Sequence, residues 1–392
     1  MLVGIVGKPS AGKSSLLNAM CKSPIAKIGN YPFTTIDKNN GVGFVYKECV
    51  CHEKDLHCGQ CLNNIRPIPV KIIDVAGLVP GAHEGKGLGN KFLSDLSEAD
   101  VLIHVVDISG SLNAEGEDVS PGSNDPISDI EFLEDEISRW ISGILSKGWD
   151  KVKRAARASK TPLDELLLDR LSGLKIRKSH LKKVLNEGDF PLNVENWDDE
   201  ILLQIARDIR RISKPTVIVA NKIDRPTSTD FYQKMKKEFP DRIIIPTSAL
   251  AEIALQKYEK DGKIEYFPLE GKIRLKDVSE KDEKTLEKIE KEILEKHGNT
   301  GVMKILTKAV ELLDYIAVFP VADINKLTDQ EGRILPDVFL VPNGRTVKDF
   351  AGMIHQDLKD NFVCGIDART NRKLADSYQV KDRDIIKIMA SK

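Results

Sequence analysis

The chain has 392 residues, 41% hydrophobic and 30% charged, enough for a buried core, and roughly 150 residues per domain gives a prior of two to three domains. Lys+Arg 59 against Asp+Glu 60 leaves a formal net charge of -1, which excludes a uniformly basic nucleic-acid coat and an acidic tail protein but allows a local basic patch. No stretch approaches the ~18–20 apolar residues that span a bilayer, and a core strand at Leu2 leaves no room for a signal peptide, so a cytoplasmic protein without membrane contact is expected.

Residues 1 to 110 read as alternating strand and helix. Leu2–Val6, Ile68–Asp74 and Val101–Asp107 are apolar strands, and Lys13 to Lys22 is a helix. Two further strands, Thr216–Ala220 and Arg242–Pro246, come more than a hundred residues later. Short β-branched runs separated by helices predict a mostly parallel sheet covered on both faces. Residues 111–126 are rich in Gly, Ser, Asn and Pro and read as a loop, and residues 127–212 read as a helical insert. Leu163, Leu167, Leu171, Leu174, Leu181 and Leu185 fall on one helical stripe. Residues 147–184 carry twelve Lys or Arg against four Asp or Glu. A solvated helical face is the ordinary reading of that surplus, and a nucleic-acid contact surface is the functional one.

Residues 259–315 read as a charged helical linker. The last 75 or so residues read as a compact α+β module: a strand at Asp337–Val341, a turn at Pro342-Asn343-Gly344, a helix from Val347 to Leu358 and a strand at Asp384–Met389. The expected division is 1–126 with 213–315 as a P-loop domain, 127–212 as the insert and 316–392 as the terminal module.

Gly7-Lys8-Pro9-Ser10-Ala11-Gly12-Lys13-Ser14, followed by Ser15, fits G-x-x-x-x-G-K-[ST] between a strand and a helix. Its amides and the helix N-terminus can cradle phosphates. Lys13 can reach the β and γ phosphates, and Ser14 can offer its hydroxyl to Mg²⁺. Asp74-Val75-Ala76-Gly77 closes the second strand, with Asp74 placed for Mg²⁺ and the Gly77 N–H for a γ-phosphate. Asn221-Lys222-Ile223-Asp224 closes the fourth. Asp224 can accept from N1–H and N2–H₂ of guanine, a donor pair that adenine lacks, while Lys222 can lie over the base. Ser248-Ala249-Leu250 falls where a backbone N–H would meet guanine O6. Four elements in this order predict a guanine-nucleotide domain using GTP or GDP and Mg²⁺.

On these motifs the chain resembles the Obg family of GTPases, in its YchF (Obg-like ATPase) branch. Asn30-Tyr31-Pro32-Phe33-Thr34-Thr35-Ile36-Asp37 matches the family's first switch, which makes Thr35 the Mg²⁺- and γ-phosphate-sensing threonine. Asp74 to His83 and Gly87-Leu88-Gly89-Asn90 match the second, and Asp125 to Glu131 resembles the lead into the branch's coiled-coil insert. The terminal module resembles a TGS domain, a small β-grasp fold. The resemblance implies a ribosome or another RNA–protein assembly as partner, through the insert and the TGS domain. The sequence departs from the family pattern in keeping a guanine-type Asn221, Lys222 and Asp224, where the branch often prefers ATP. It also carries Ser10 where many relatives have an Asn tied to K⁺ binding.

Leu78 stands where Ras-like enzymes place a water-orienting Gln, and it cannot hydrogen-bond. His83, in a loop that Gly81, Gly85, Gly87 and Gly89 make flexible, is the nearest replacement, and a plain exposed histidine is its other reading. The expected activity is slow GTP hydrolysis by a conformational switch, with Lys13, Thr35, Gly77 and His83 as the catalytic set. A nucleotide-gated binding module with negligible hydrolysis and an ATP-preferring protein are the alternatives. Cys49, Cys51, Cys58 and Cys61 fall within 13 residues as C-x-C and C-x₂-C. A small Zn²⁺ knuckle, a disulfide pair and free thiols are all open readings of that spacing.

Overall fold

A computed structural model of the chain describes residues 1–21, 40–61, 63–75, 89–158, 161–191 and 193–391. In chain order, β1 (Leu2–Val6) leads to α1 (Lys13–Cys21), then β2 (Asn40–Glu48), β3 (Ile65–Asp74), α2 (Gly89–Glu98) and β4 (Val101–Asp107). Five helices follow: α3 (Pro126–Ser146), α4 (Trp149–Ala158), α5 (Leu163–Arg170), α6 (Lys178–Glu187) and α7 (Asp199–Ser213). The chain then forms β5 (Thr216–Asn221), α8 (Ser228–Glu238), β6 (Ile244–Thr247) and α9 (Ala249–Lys260). A hairpin of β7 (Ile264–Phe267) and β8 (Lys272–Leu275) precedes α10 (Glu280–Ile289), α11 (Glu295–His297) and α12 (Val302–Leu312). The last elements are β9 (Tyr315–Pro320), β10 (Phe339–Pro342), α13 (Val347–Ile354), α14 (Gln356–Asp360), β11 (Phe362–Asp367), β12 (Lys373–Leu374) and β13 (Ile385–Ala390).

The chain divides into two compact units. The first holds Met1–Met20 and Lys71–Ile305; the second holds Val42–Val70 and Leu306–Lys392. The main sheet has the order β2-β3-β1-β4-β5-β6. The pairs β1–β3, β1–β4, β4–β5 and β5–β6 are parallel, with Val6 opposite His104 and Asp107 opposite Asn221. Every residue of β4 is buried, as a central strand with both faces covered requires. This registers the C-terminal ends of β1, β4 and β5 side by side, the edge where ligands bind in open parallel sheets. β2 has no counterpart in the sequence reading, because Gly41 and Gly43 interrupt its apolar alternation.

The insert is built on α3 and α7. Asp125 caps α3 by accepting from the Ile127 N–H at 3.1 Å, with Pro126 opening the first turn. Asp198 caps α7 through the Ile201 N–H at 2.9 Å. Ile137, Ile141 and Leu145 share one core with Leu202, Ile205 and Ile209. Trp149 stacks on Trp197 at 5.8 Å between centroids. The leucine stripe does not lie on one helix. It runs over α5, a 3₁₀ turn at Ser172–Leu174 and α6, because Lys175 turns left-handed at φ 52°. Its members Leu167, Leu171, Leu174 and Leu181 are still buried in that core.

The reading of 259–315 as a helical linker is corrected by the β7–β8 hairpin. Ile264 and Tyr266 alternate inward there, a period too short to register against the charged helices around it. In the second unit, the terminal module forms a five-stranded sheet of order β10-β9-β13-β11-β12, parallel between β9 and β13 and otherwise antiparallel. Val347 and Phe350 of α13 sit in its core with Val318, Val341 and Ile386.

Candidate nucleotide-binding site

β1 feeds the loop Gly7-Lys8-Pro9-Ser10-Ala11-Gly12, and α1 begins at Lys13. Close approach forces two of its glycines. Gly7 has φ +144°, and a Cβ there would lie 2.3 Å from the Val105 carbonyl oxygen. Gly12 has φ +100°, and a Cβ there would lie 2.2 Å from the Asn221 side-chain nitrogen. Ser10 also takes a left-handed φ of 60°, where Gly and Asn are the usual residues.

The Lys13 ammonium donates to the carbonyls of Gly7 at 3.0 Å and Lys8 at 2.8 Å. Burial lowers its pKa, and the Asp74 carboxylate opposes that fall. The Ser14 hydroxyl donates to Asp74 Oδ2 at 3.0 Å, while Asp74 Oδ1 is buried without a partner among the described residues. A hydroxyl beside a carboxylate with one orphaned oxygen suits a hard divalent cation. Ser15, the next residue, is half-buried.

Asn221 joins two loops. Its Nδ2 donates to the Ala11 carbonyl at 2.9 Å, and its Oδ1 accepts from the Ala249 N–H at 3.2 Å. One buried amide thus ties the phosphate loop to Ser248-Ala249-Leu250. Ser248 caps α9 by accepting from the Ala251 N–H at 3.3 Å. With the Ala249 amide engaged, the Leu250 N–H is the one in the first turn of α9 without a partner among the described residues. The Leu250 side chain is 61% exposed, an apolar surface beside that amide. Asp224 is exposed and makes no ion pair or hydrogen bond among the described residues. Lys222, at φ 63°, points its ammonium to Asp107 Oδ2 at 3.0 Å.

Several supporting residues left no signal in the sequence. Asp107 accepts from the hydroxyls of Ser109 at 2.6 Å and Ser111 at 2.7 Å. Burial works against its charge, but Ser109, Ser111 and Lys222 together hold its carboxyl below the usual range. Arg225 donates to Ser111 Oγ at 3.1 Å. The Lys8 side chain is committed to Asp129 of α3, so Lys8 can meet a phosphate only through its backbone. His104, fully buried, is pushed down to about 3 by burial and by Lys13 and Lys8, and stays neutral. Glu252, one turn into α9, accepts from Tyr266 Oη at 2.8 Å, Thr300 Oγ1 at 2.5 Å and Gln256 Nε2 at 2.9 Å. Gln256 also donates to the Ala19 carbonyl of α1 at 2.9 Å, so this buried network braces the guanine-side loop against the phosphate-side helix. Thr35, Gly77, Leu78 and His83 lie outside the described residues.

Three family models match the chain. The model described as 50S ribosome-binding GTPase matches residues 2–138. The Obg-like GTPase YGR210-like, G4 motif-containing domain matches 219–323, and the TGS domain matches 326–390. An uncharacterized GTP-binding protein of Methanocaldococcus jannaschii is 44% identical over 100% of this chain and 99% of its own. A ribosome-binding ATPase YchF of Pasteurella multocida is 25% identical over 92% of this chain and 86% of its own. The crystal structure of a GTP binding protein from Pyrococcus horikoshii OT3 is similar with a TM-score of 0.77 and 35% identity, covering 100% of both chains. No helix among the described residues is long and apolar enough to cross a membrane. The chain belongs to the Obg-like, YchF-like family of P-loop GTP-binding proteins with a C-terminal TGS domain.

Proposed function

We propose that this protein is a Mg²⁺-dependent GTPase that converts GTP to GDP and phosphate and works as a conformational switch on the ribosome or another RNA–protein assembly. The observation that carries the guanine choice is the exposed Asp224, unpartnered among the described residues, three residues after the Asn221 bridge. A carboxylate there matches the paired donors of guanine and leaves adenine unmatched. The Leu250 N–H, without a partner among the described residues, is the amide we assign to guanine O6. Ser14 and Asp74, with Thr35, are the residues that would hold Mg²⁺, which supplies positive charge against the phosphates. Lys13 would exchange its two carbonyl partners for phosphate oxygens. Thr35 and Gly77 would sense the γ-phosphate, and His83 is our candidate for orienting water. We read 1–126 with 213–315 as the GTPase domain, 127–212 as the insert and 316–392 as the TGS domain.

The ribosome as partner is supported by the description of the matching family model and by the name of the Pasteurella relative. The basic stretch at 147–184 is a chemically suitable contact for RNA. Leu78 favours a second reading, a nucleotide-gated binder with negligible intrinsic hydrolysis, since that side chain cannot align water. Single-turnover GTP hydrolysis with and without ribosomes separates the two. Calorimetry with GTP and ATP tests the base, and equal affinities would overturn the guanine assignment. Co-sedimentation with ribosomes in GDP and in a non-hydrolysable GTP analogue tests the partner, and no nucleotide-dependent difference would remove the switch.

A further inference from the structure

The four clustered cysteines gather at one point. Cys49 follows β2 and precedes the 3₁₀ turn Val50–Lys54 that holds Cys51, and Cys58 and Cys61 flank a turn in which Gly59 takes φ +66°. Their sulfurs lie 3.8 Å apart for Cys49–Cys58, 3.6 Å for Cys51–Cys61 and 3.5 Å for Cys58–Cys61. All four fall within 4.8 Å of one another. A tetrahedron of sulfurs around zinc at about 2.3 Å has edges of about 3.8 Å, close to these separations. A disulfide would bring one pair to about 2.05 Å and break that equality.

Arg66 is an independent pointer to the same site. Its side chain is fully buried, and no carboxylate among the described residues pairs with it. Its guanidinium reaches Cys58 Sγ at 3.8 Å and the Pro336 carbonyl at 2.7 Å, and its Nε has no partner among the described residues. A buried cation without an anion is strongly unfavourable. Four neutral thiols leave Arg66 in that condition, whereas a tetrathiolate zinc centre carries two negative charges beside it. Two further polar groups approach the sulfurs from outside. The Gln60 N–H donates to Cys58 Sγ at 3.4 Å, and His52 Nε2 lies 3.6 Å from Cys61 Sγ.

The turn held by these cysteines makes contacts across the second unit. Glu53 receives Arg369 through two bonds, at 2.6 and 2.9 Å, and Arg383 at 3.0 Å. Arg383 also reaches Glu48 at 2.6 Å, and Lys54 donates to the Ile324 carbonyl at 3.2 Å. We propose that Cys49, Cys51, Cys58 and Cys61 bind one Zn²⁺ as a tetrathiolate, balanced by the buried Arg66, and that the ion fixes the turn which carries Glu53 and Lys54 onto the C-terminal module. Binding converts four Cys–SH and Zn²⁺ into the dianionic centre and releases four protons to solvent, with no change of oxidation state.

The full-length protein, prepared anaerobically with zinc supplied, should contain about one zinc per chain, with four sulfur neighbours at about 2.3 Å in X-ray absorption. Cobalt substituted for zinc should give the visible bands of a tetrahedral thiolate site. Cys58→Ser with Cys61→Ser should lose the metal while keeping GDP affinity within about twofold, under 1 kcal/mol. Deuterium uptake should then rise in peptides covering 49–61 and those containing Arg369 and Arg383. Should the double variant fail to bind GDP, the wild-type chain stripped by a chelator carries the same exchange measurement. An absence of metal, iron as the resident ion, or a disulfide found by mass spectrometry would overturn the site. Unchanged uptake after zinc removal would overturn its role at the junction. None of the metal readouts uses nucleotide, so they stand apart from the GTPase reading.

Discussion

Replacing Asn221 with Ala tests whether one side chain holds the two halves of the nucleotide site together. Its amide makes two bonds, to the Ala11 carbonyl at 2.9 Å and from the Ala249 N–H at 3.2 Å. Both Ala11 and Ala249 are buried, so water does not replace what is lost. Each backbone group left buried and unpaired is unfavourable by about 1–3 kcal/mol, and the pair by about 2–6 kcal/mol. These bonds form without nucleotide, so the loss appears first in stability. At about 2–4 °C per kcal/mol for a domain of this size, melting should fall by at least about 4 °C. Affinity for GTP and for ATP should fall together, because the amide positions loops rather than reading a base. Asn221→Asp should do no better, since a carboxylate oxygen would then face the Ala11 carbonyl. Thermal melting and calorimetry with both nucleotides are the assays. A melting shift under about 1 °C, or a loss confined to GTP, would refute the bridging role.

Three other perturbations probe neighbouring parts. Asp224→Asn should weaken GTP by about 2–4 kcal/mol and shift preference toward xanthine nucleotides, whose C2 carbonyl suits an amide donor; calorimetry with XTP and GTP reads it. Thr35→Ala should keep GDP affinity and lose GTP hydrolysis, and hydrogen exchange over 29–40 and 77–90 should no longer differ between GDP and a GTP analogue. Burial raises the Glu252 pKa above its ordinary 4.5, although Thr300, Tyr266 and Gln256 oppose the rise. Its contribution to stability is therefore full below pH 4.5 and lost as pH rises through the folded value. Glu252→Gln should flatten that dependence, gaining on the wild type from pH 5 to pH 8 in melting experiments; parallel curves would contradict it.

What was legible in the sequence was whatever is local. β4 and β5 announce themselves as β-branched runs, and the phosphate loop as two glycines at fixed spacing before Lys13. Each of these signals lies within a few residues. β2 was missed because two glycines dilute its pattern, and the β7–β8 hairpin because its strands have four residues each. The pairings that brace the site were illegible for another reason. Asn221 meets Ala11 across 210 residues, and Arg66 meets Pro336 across 270. A buried arginine five residues after a cysteine cluster reads as a surface charge until the fold removes its water. The cysteine spacing left three chemistries open, and the gathering of four sulfurs within 4.8 Å beside Arg66, which pairs with no carboxylate among the described residues, favours one.

The same contrast explains Lys8. By sequence it is a variable position inside a phosphate loop, where a cation is unremarkable. In the fold its ammonium pairs with Asp129, and both side chains are more than nine-tenths buried. Burial pushes the Asp129 pKa up against the pull of Lys8, the sign of a pair whose desolvation offsets much of its attraction. Such a pair adds little net stability, so its use lies in register: it fixes α3, the first helix of the insert, to one residue of the loop. That residue is joined to the chemistry as well, since its carbonyl accepts from Lys13 Nζ at 2.8 Å. Asp129 is held in turn by the Asn124 amide at 3.4 Å. A phosphate that drew the Lys13 ammonium away from the loop carbonyls would remove a bond from the residue to which α3 is tied. Two bonds through Lys8 thus link α3 to Lys13, one from its side chain and one to its carbonyl, and neither is visible in the residue pattern of the loop.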